Sequence, residues 1–276
     1  MKRMCQGVAV LAALTWSGLA QTQGPPPVMQ IIREAVKEGK LAAHEKTEAE
    51  YVQAFRSAKS ESHYLAAASM SGTGDVWFFV PHPSFEAAER ERKLETQEPL
   101  KSALEAADAH DGALRESTRT MWAIYRPDMS YRMDKLNIGK MRYFTAETFR
   151  VRLGHEADFV AAAKSFLDAY EKGNIDAMLL CYQVVAGATS GTYVFFGPME
   201  TLKTMDGIRE RQSAIRQAMG AENMDKLMRS AGDIFLSIEN QLFEVSPAMS
   251  YVAPQTAEAD PAFWHPKAVA KTKPAQ

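Results

Sequence analysis

Two short stretches decide the fold. Arg126–Arg132 reads RPDMSYR, and Ser246–Val252 reads SPAMSYV, the same Pro-x-Met-Ser-Tyr frame 120 positions later. A frame repeated at that distance prompts a search for longer self-similarity before any local reading. HYLAAASMSGTGDVWFFVP (63–81) runs beside CYQVVAGATSGTYVFFGP (181–198), with Ser71-Gly72-Thr73 against Ser190-Gly191-Thr192 and Val76-Trp77-Phe78 against Val194-Phe195-Phe196. Upstream, HEKTEAEYVQAFRSA (44–58) lies beside HEADFVAAAKSFLDA (155–169), each after a glycine, Gly39 or Gly154. On this alignment the separation drifts from 111 at the histidines to 118 at Tyr64 and Tyr182 and 120 at the closing frame. Four blocks in the same order read as a tandem duplication.

Periodicity assigns the elements of each copy. Val28–Lys37 and Arg142–Arg152 read as first strands, the second alternating β-branched and aromatic residues. Tyr51, Ala54, Phe55 and Ala58 fall on one helical face, and Phe159, Ala163, Phe166, Leu167 and Tyr170 repeat it. Each Ser-Gly-Thr block joins strands two and three as a hairpin. Charged helical stretches follow, one broken near Pro99, the other interrupted at Gly207 and Gly220. Thr118–Arg126 and Ser237–Ser246 close each copy as fourth strands. The order β-α-β-β-α-β is that of the ferredoxin-like unit.

One such sheet, with its helices on one face, leaves the other face apolar and uncovered. VWFF (76–79) and VFF (194–196) are apolar on both faces, so neither third strand is expected to meet water. The expected fold is therefore α+β: two tandem ferredoxin-like βαββαβ units packed sheet to sheet as a fused α+β barrel. Its expected divisions are a leader at 1–20, a linker at 21–27, repeats at 28–140 and 141–252, and a loose Pro/Lys-rich tail at 253–276. The proline of each closing frame is expected just past the fourth strand, with Met129/Met249 and Tyr131/Tyr251 packing against their own half.

From Val28 to Val252 the chain resembles the dimeric α+β barrel superfamily, in the form that fuses two units in one chain. The element order, the glycine before each first helix and the Ser-Gly-Thr-aromatic hairpins carry this resemblance. It implies relatives as different as antibiotic-biosynthesis-type monooxygenases, haem-degrading enzymes, chlorite dismutase-like haem proteins and small binding proteins. Such a range implies a fold and no single task.

Composition narrows the classes further. With 32 basic and 34 acidic residues the formal charge is −2, which gives no field to recruit nucleic acid. Lys2 and Arg3, the apolar run Gly7–Trp16 and small residues at Gly18-Leu19-Ala20 read as an export leader cleaved after Ala20, placing the mature chain in the periplasm or medium. No later stretch is long and apolar enough to anchor it in a membrane. Cleavage leaves Cys181 as the lone cysteine, in the apolar run MLLCYQVVAG, where a buried thiol is expected.

Candidates for chemistry are few. The six histidines (44, 63, 82, 110, 155, 265) show no metal-ligand spacing, and His44 and His155 read as matched structural positions at helix starts. Of the Asn-Trp-His set that haem-degrading relatives imply, only Trp77 can be placed, so neither cofactor nor metal is expected. The fourth strand of the second copy, Glu239–Glu244, is polar for a barrel wall, and an inward Gln241 beside a buried glutamate would make a general base. His63, Tyr64, Trp77, Tyr125, Tyr182, Gln183, Gln241 and Glu244 form the candidate site. Three readings stand: an exported binder of a small apolar or aromatic molecule or a partner, acting as monomer or homodimer; a cofactor-independent monooxygenase or isomerase; and a structural duplicate without a ligand. A cavity lined by rings marks the first, an ionisable group isolated in it the second, and a filled interior excludes both cavity readings.

Overall fold

A computed structural model describes residues 24–266. The expected leader and the extreme C-terminus lie outside the described residues. The first half runs β1 (Val28–Val36), α1 (Leu41–Ser57), β2 (Tyr64–Ser69), β3 (Asp75–His82), α2 (Phe85–Glu95), α3 (Leu100–Asp111) and β4 (Arg115–Tyr125). The second runs β5 (Tyr143–Val151), α4 (Glu156–Lys172), β6 (Leu180–Ala186), β7 (Thr192–Met199), α5 (Ile208–Met219), α6 (Ala221–Ile234) and β8 (Phe235–Tyr251).

All eight strands join in one closed antiparallel barrel, ordered β1-β3-β2-β8-β5-β7-β6-β4. Each half contributes four neighbouring strands, β4-β1-β3-β2 and β8-β5-β7-β6, and the halves meet where β2 pairs β8 and β4 pairs β6. The two sheets thus face each other across the interior and also share edges, so no strand among the described residues is left unpaired.

Register corrects the alignment of the halves. Gly39 and Gly154, both at positive φ, precede α1 and α4 by two residues and stand 115 positions apart. The same 115 holds along β2 and β6, where Leu65 faces Phe79 and Leu180 faces Phe196. His44 therefore corresponds to Phe159, while His155 corresponds to Lys40, each the residue before its helix. Likewise Phe79 matches Phe196 and Trp77 matches Val194, one position off the match that shared letters suggest. On a strand a one-residue slip moves every side chain to the opposite face, so hydrogen bonding decides and letters do not.

The closing frames cross between the halves. Met129 packs into the second half's outer core with Val151, Phe159, Cys181 and Tyr193. Met249 packs into the first half's, with Val52, Phe55, Tyr64 and Phe78. Burial of each methionine stabilises by roughly 1.5–3 kcal/mol, here between the halves and not within one. The serines match: Ser130 Oγ accepts from Cys181 N at 3.0 Å, and Ser250 Oγ accepts from Ala66 N at 2.9 Å. Pro127 lies past β4 as expected, whereas Pro247 falls within β8, at the register break between the pairs Ala66–Ser246 and Tyr64–Tyr251.

Residues 254–264, expected to be loose, form two short helices, α7 (Pro254–Glu258) and α8 (Pro261–Trp264), against one end of the barrel. Ala257 and Trp264 join the interior core there, and Trp264 Nε1 donates to Gly139 O at 2.9 Å. Gly139 is required at this contact, because a Cβ would stand 2.3 Å from Thr256 O.

Candidate functional site

The interior of the barrel is filled with rings. Trp77 lies 4.9 Å from Phe243, Phe243 is stacked 5.0 Å from Phe144, and Phe196 meets Phe79 edge to face at 5.4 Å. Offset and edge-to-face contacts at such distances are close packing. Beyond the rings, at the end opposite Trp264, the inward positions turn polar. The register places Arg33 and Arg119 on paired positions of β1 and β4, continuing the faces of Ile31 and Met121. On the other side Arg150 and Thr192 are paired on β5 and β7, continuing Ala146 and Phe196. Gln241 and Glu239 occupy the inward positions of β8 that follow Phe243 toward this end.

The arginines at this mouth are unevenly matched. Arg33 pairs with Asp75 at 3.1 Å and its guanidinium lies 4.4 Å over the Trp77 ring. Gln241 Nε2 reaches the same Asp75 carboxylate at 3.5 Å. Arg150 donates only to Thr189 Oγ1, at 3.2 Å, and among the described residues Arg119 makes no ion pair or side-chain hydrogen bond. Trp77 Nε1, Arg150 Nε and Ser237 Oγ are buried without a partner. Arg119 and Gly187–Thr189 line a shallow depression open to solvent.

The eight candidate residues do not meet in one cavity. Trp77 and Tyr182 lie in the packed interior, with the Tyr182 hydroxyl donating to Pro26 O at 2.8 Å and Tyr125 packed beside its ring. Tyr64 faces outward beneath α1, and His63 stacks on Tyr251 at 5.0 Å, where burial lowers its pKa. Gln183 faces outward and accepts from Arg126 Nη1 at 2.8 Å. Of the polar run on β8, Gln241 points inward, but Glu239 and Glu244 are both exposed, which removes the buried glutamate the general-base reading needs. Cys181 is fully buried, and burial pushes its thiol pKa up, as befits a packing residue.

A second polar centre lies outside the barrel wall, between β1, α1 and α3. Its core is His44, fully buried, whose Nδ1 stands 2.7 Å from Asp111 Oδ1 while Nε2 faces Glu34 Oε2 at 3.5 Å. Arg115 braces both acids, Nη1 to Glu34 Oε1 at 2.5 Å and Nε to Asp111 Oδ2 at 2.8 Å. Thr47 Oγ1 adds a contact to Asp111 at 2.5 Å. Glu48 is buried beside them; desolvation, reinforced by the charges of Glu34 and Asp111, pushes its pKa up to about 9. Burial raises the pKa of Glu34 as well, against the pull of Arg115. The sequence held one clue to this centre, four ionisable residues at positions that should be core by period. Pairing His44 with the half-buried His155 hid it.

No family model matches the chain, and no curated protein does. Among solved structures it is similar to a Fusobacterium nucleatum protein whose monooxygenase assignment is provisional (10% identity, 80% of this chain and 93% of that one, TM-score 0.51). It is also similar to an anthrone oxidase-like protein (12%, 79% and 91%, TM-score 0.50) and to a mutant chlorite dismutase from Candidatus Nitrospira defluvii (10%, 81% and 93%, TM-score 0.50). At these identities the likeness shows the fold alone: an eight-stranded antiparallel α+β barrel closed within one polypeptide. A haem, one of the groups the resemblance implies, does not fit the residues here. Among the described residues no histidine lines the interior, His82 and His110 are tied to Glu91 and Glu50, and the rings around Trp77 occupy the space.

Proposed function

We propose that the protein is an exported binder of a small anionic molecule, which docks on the polar mouth of the barrel and not inside it. One observation carries this reading: Arg33, Arg119 and Arg150 ring the mouth, and among the described residues only Arg33 has a carboxylate partner. Like charges on directly paired positions, as Arg33 and Arg119 are, destabilise a sheet. A carboxylate or phosphate would relieve that repulsion and take paired N–H donors from a guanidinium. The unpartnered Trp77 Nε1, Arg150 Nε and Ser237 Oγ at the same end support a polar guest over the apolar one anticipated from the rings, which serve as core.

A monooxygenase or isomerase is the second reading, favoured by the shared fold alone. It needs an ionisable group isolated inside the barrel, and both β8 glutamates face solvent. A tandem duplication gives the halves their common order, with divisions near 28–140 and 141–252, and a leader cleaved after Ala20 exports the chain as a monomer or homodimer.

Titration of the full chain with inorganic phosphate and with benzoate at low salt, followed by tryptophan emission, tests the binding claim. Arg33 on the Trp77 ring should make the emission responsive, with a saturable change that Trp77→Phe abolishes and Arg119→Glu weakens at least tenfold. No saturable change with either anion, or an Arg119→Glu curve matching the wild type, rejects the reading.

A further inference from the structure

The polar centre under α1 has an internal control. Matching bulges fall between Ala35 and Val36, where Val36 faces Arg115, and between Arg150 and Val151, where Val151 faces Phe235. The same correspondence appears at the next turn, where Lys37 N donates to Leu114 O and Arg152 N to Ile234 O. Glu34, His44 and Arg115 thus stand where the second half has Phe149, Phe159 and Phe235. Those three rings form an ordinary aromatic cluster, with centroids 5.4 to 5.8 Å apart. Glu48 and Asp111 stand where the second half has Ala163 and Ala231. The fold therefore builds this layer from apolar residues when nothing else is asked of it, and burying ionised groups instead is costly.

What the ionic version leaves unmet points to a ligand. Asp111 Oδ1 accepts from His44 Nδ1, which leaves the lone pair of a neutral imidazole on Nε2. That nitrogen is fully buried, has no hydrogen-bond partner, and faces Glu34 Oε2, which has none either. Two such atoms 3.5 Å apart in a dry space need a proton or a metal cation between them. Donor atoms of Glu34, His44, Glu48 and Asp111 all lie within 4.8 Å of one another, so ligand bonds of about 2.0–2.2 Å need only a small contraction. A carboxylate holding the far nitrogen of a ligating imidazole is the usual outer support of a metal site.

We propose that Glu34 Oε2, His44 Nε2 and the Glu48 carboxylate bind one divalent first-row transition-metal cation, with Asp111 orienting the imidazole and Arg115 holding the second oxygen of Glu34. One imidazole with carboxylates suits zinc, iron(II) or manganese(II) and disfavours the soft monovalent metals.

Chelator-treated full chain titrated with Zn²⁺ against a chromophoric competitor tests this. The expected result is one equivalent bound, at least 100-fold weaker in Glu48→Gln, an isosteric change that leaves the fold intact by circular dichroism. Asp111→Asn should weaken binding by the roughly 10–100-fold typical of an outer-shell partner. Co²⁺ loading, read by its visible absorption, provides a readout independent of stability. Failure to take up either metal makes the buried nitrogen an imidazolium N–H donating to Glu34 and overturns the proposal. So does Glu48→Gln binding Zn²⁺ as the wild type does.

Discussion

If the second half shows what the layer under α1 needs for folding alone, its residues should work in the first half. The perturbation is a fivefold replacement: Glu34→Phe, His44→Phe, Glu48→Ala, Asp111→Ala and Arg115→Phe. Its comparison is Asp111→Ala alone. The single change removes the acceptor of His44 Nδ1, Thr47 Oγ1 and Arg115 Nε from a fully buried site, and leaves an imidazole and a guanidinium facing each other. Breaking a buried ionic cluster on one side costs about 3–5 kcal/mol. The fivefold change removes every partner together, and replacing a buried ionic cluster by packed apolar groups is neutral or stabilising by about 1–4 kcal/mol. New ring contacts like those of Phe149, Phe159 and Phe235 add about 0.5–1.5 kcal/mol each. Urea unfolding of both variants beside the wild type, with midpoints compared at unchanged slope, reads the difference. The fivefold variant should unfold at or above the wild-type midpoint, and Asp111→Ala well below it. A fivefold variant as unstable as the single one would refute the reasoning: the charges would then be part of the fold.

Three further outcomes are expected. Ser130→Ala and Ser250→Ala each strip the acceptor from one backbone N–H, of Cys181 or Ala66, and should each cost about 1–3 kcal/mol in urea unfolding; similar losses from both would reflect their matched positions. Cys181 should react with a thiol reagent at pH 8 only as the protein opens, since burial holds its thiol protonated; labelling at the rate of a small free thiol would contradict this. Truncation after Val252 removes Ala257 and Trp264 from the interior core and should lower the thermal midpoint and raise dye binding, whereas a loose tail would leave both unchanged.

The order of elements was legible because periodicity and turn chemistry are local. The helical faces of α1 and α4 and the two Ser-Gly-Thr hairpins stand close to where their residues place them. Register was not legible. Tyr64 and Tyr182 share a letter, but one faces out beneath α1 and the other fills the interior, and only hydrogen bonding fixes that. The closing frame recurs in both halves, yet its Met and Ser pin the opposite half, which no one-dimensional pattern reports. Of the candidate residues on β8, Gln241 points inward and Glu244 is exposed. The arginines of the mouth went unseen because Arg33, Arg119 and Arg150 lie far apart in sequence and converge only when the barrel closes.

Binding is proposed for the mouth of the barrel, and the interior is core. Amide chemical-shift mapping with benzoate tests this most directly. Saturable shifts confined to Arg33, Arg119, Arg150 and Gly187–Thr189 are expected, with Met121, Leu180 and Val184 unmoved. Shifts centred on those three interior residues, with a quiet mouth, would contradict it.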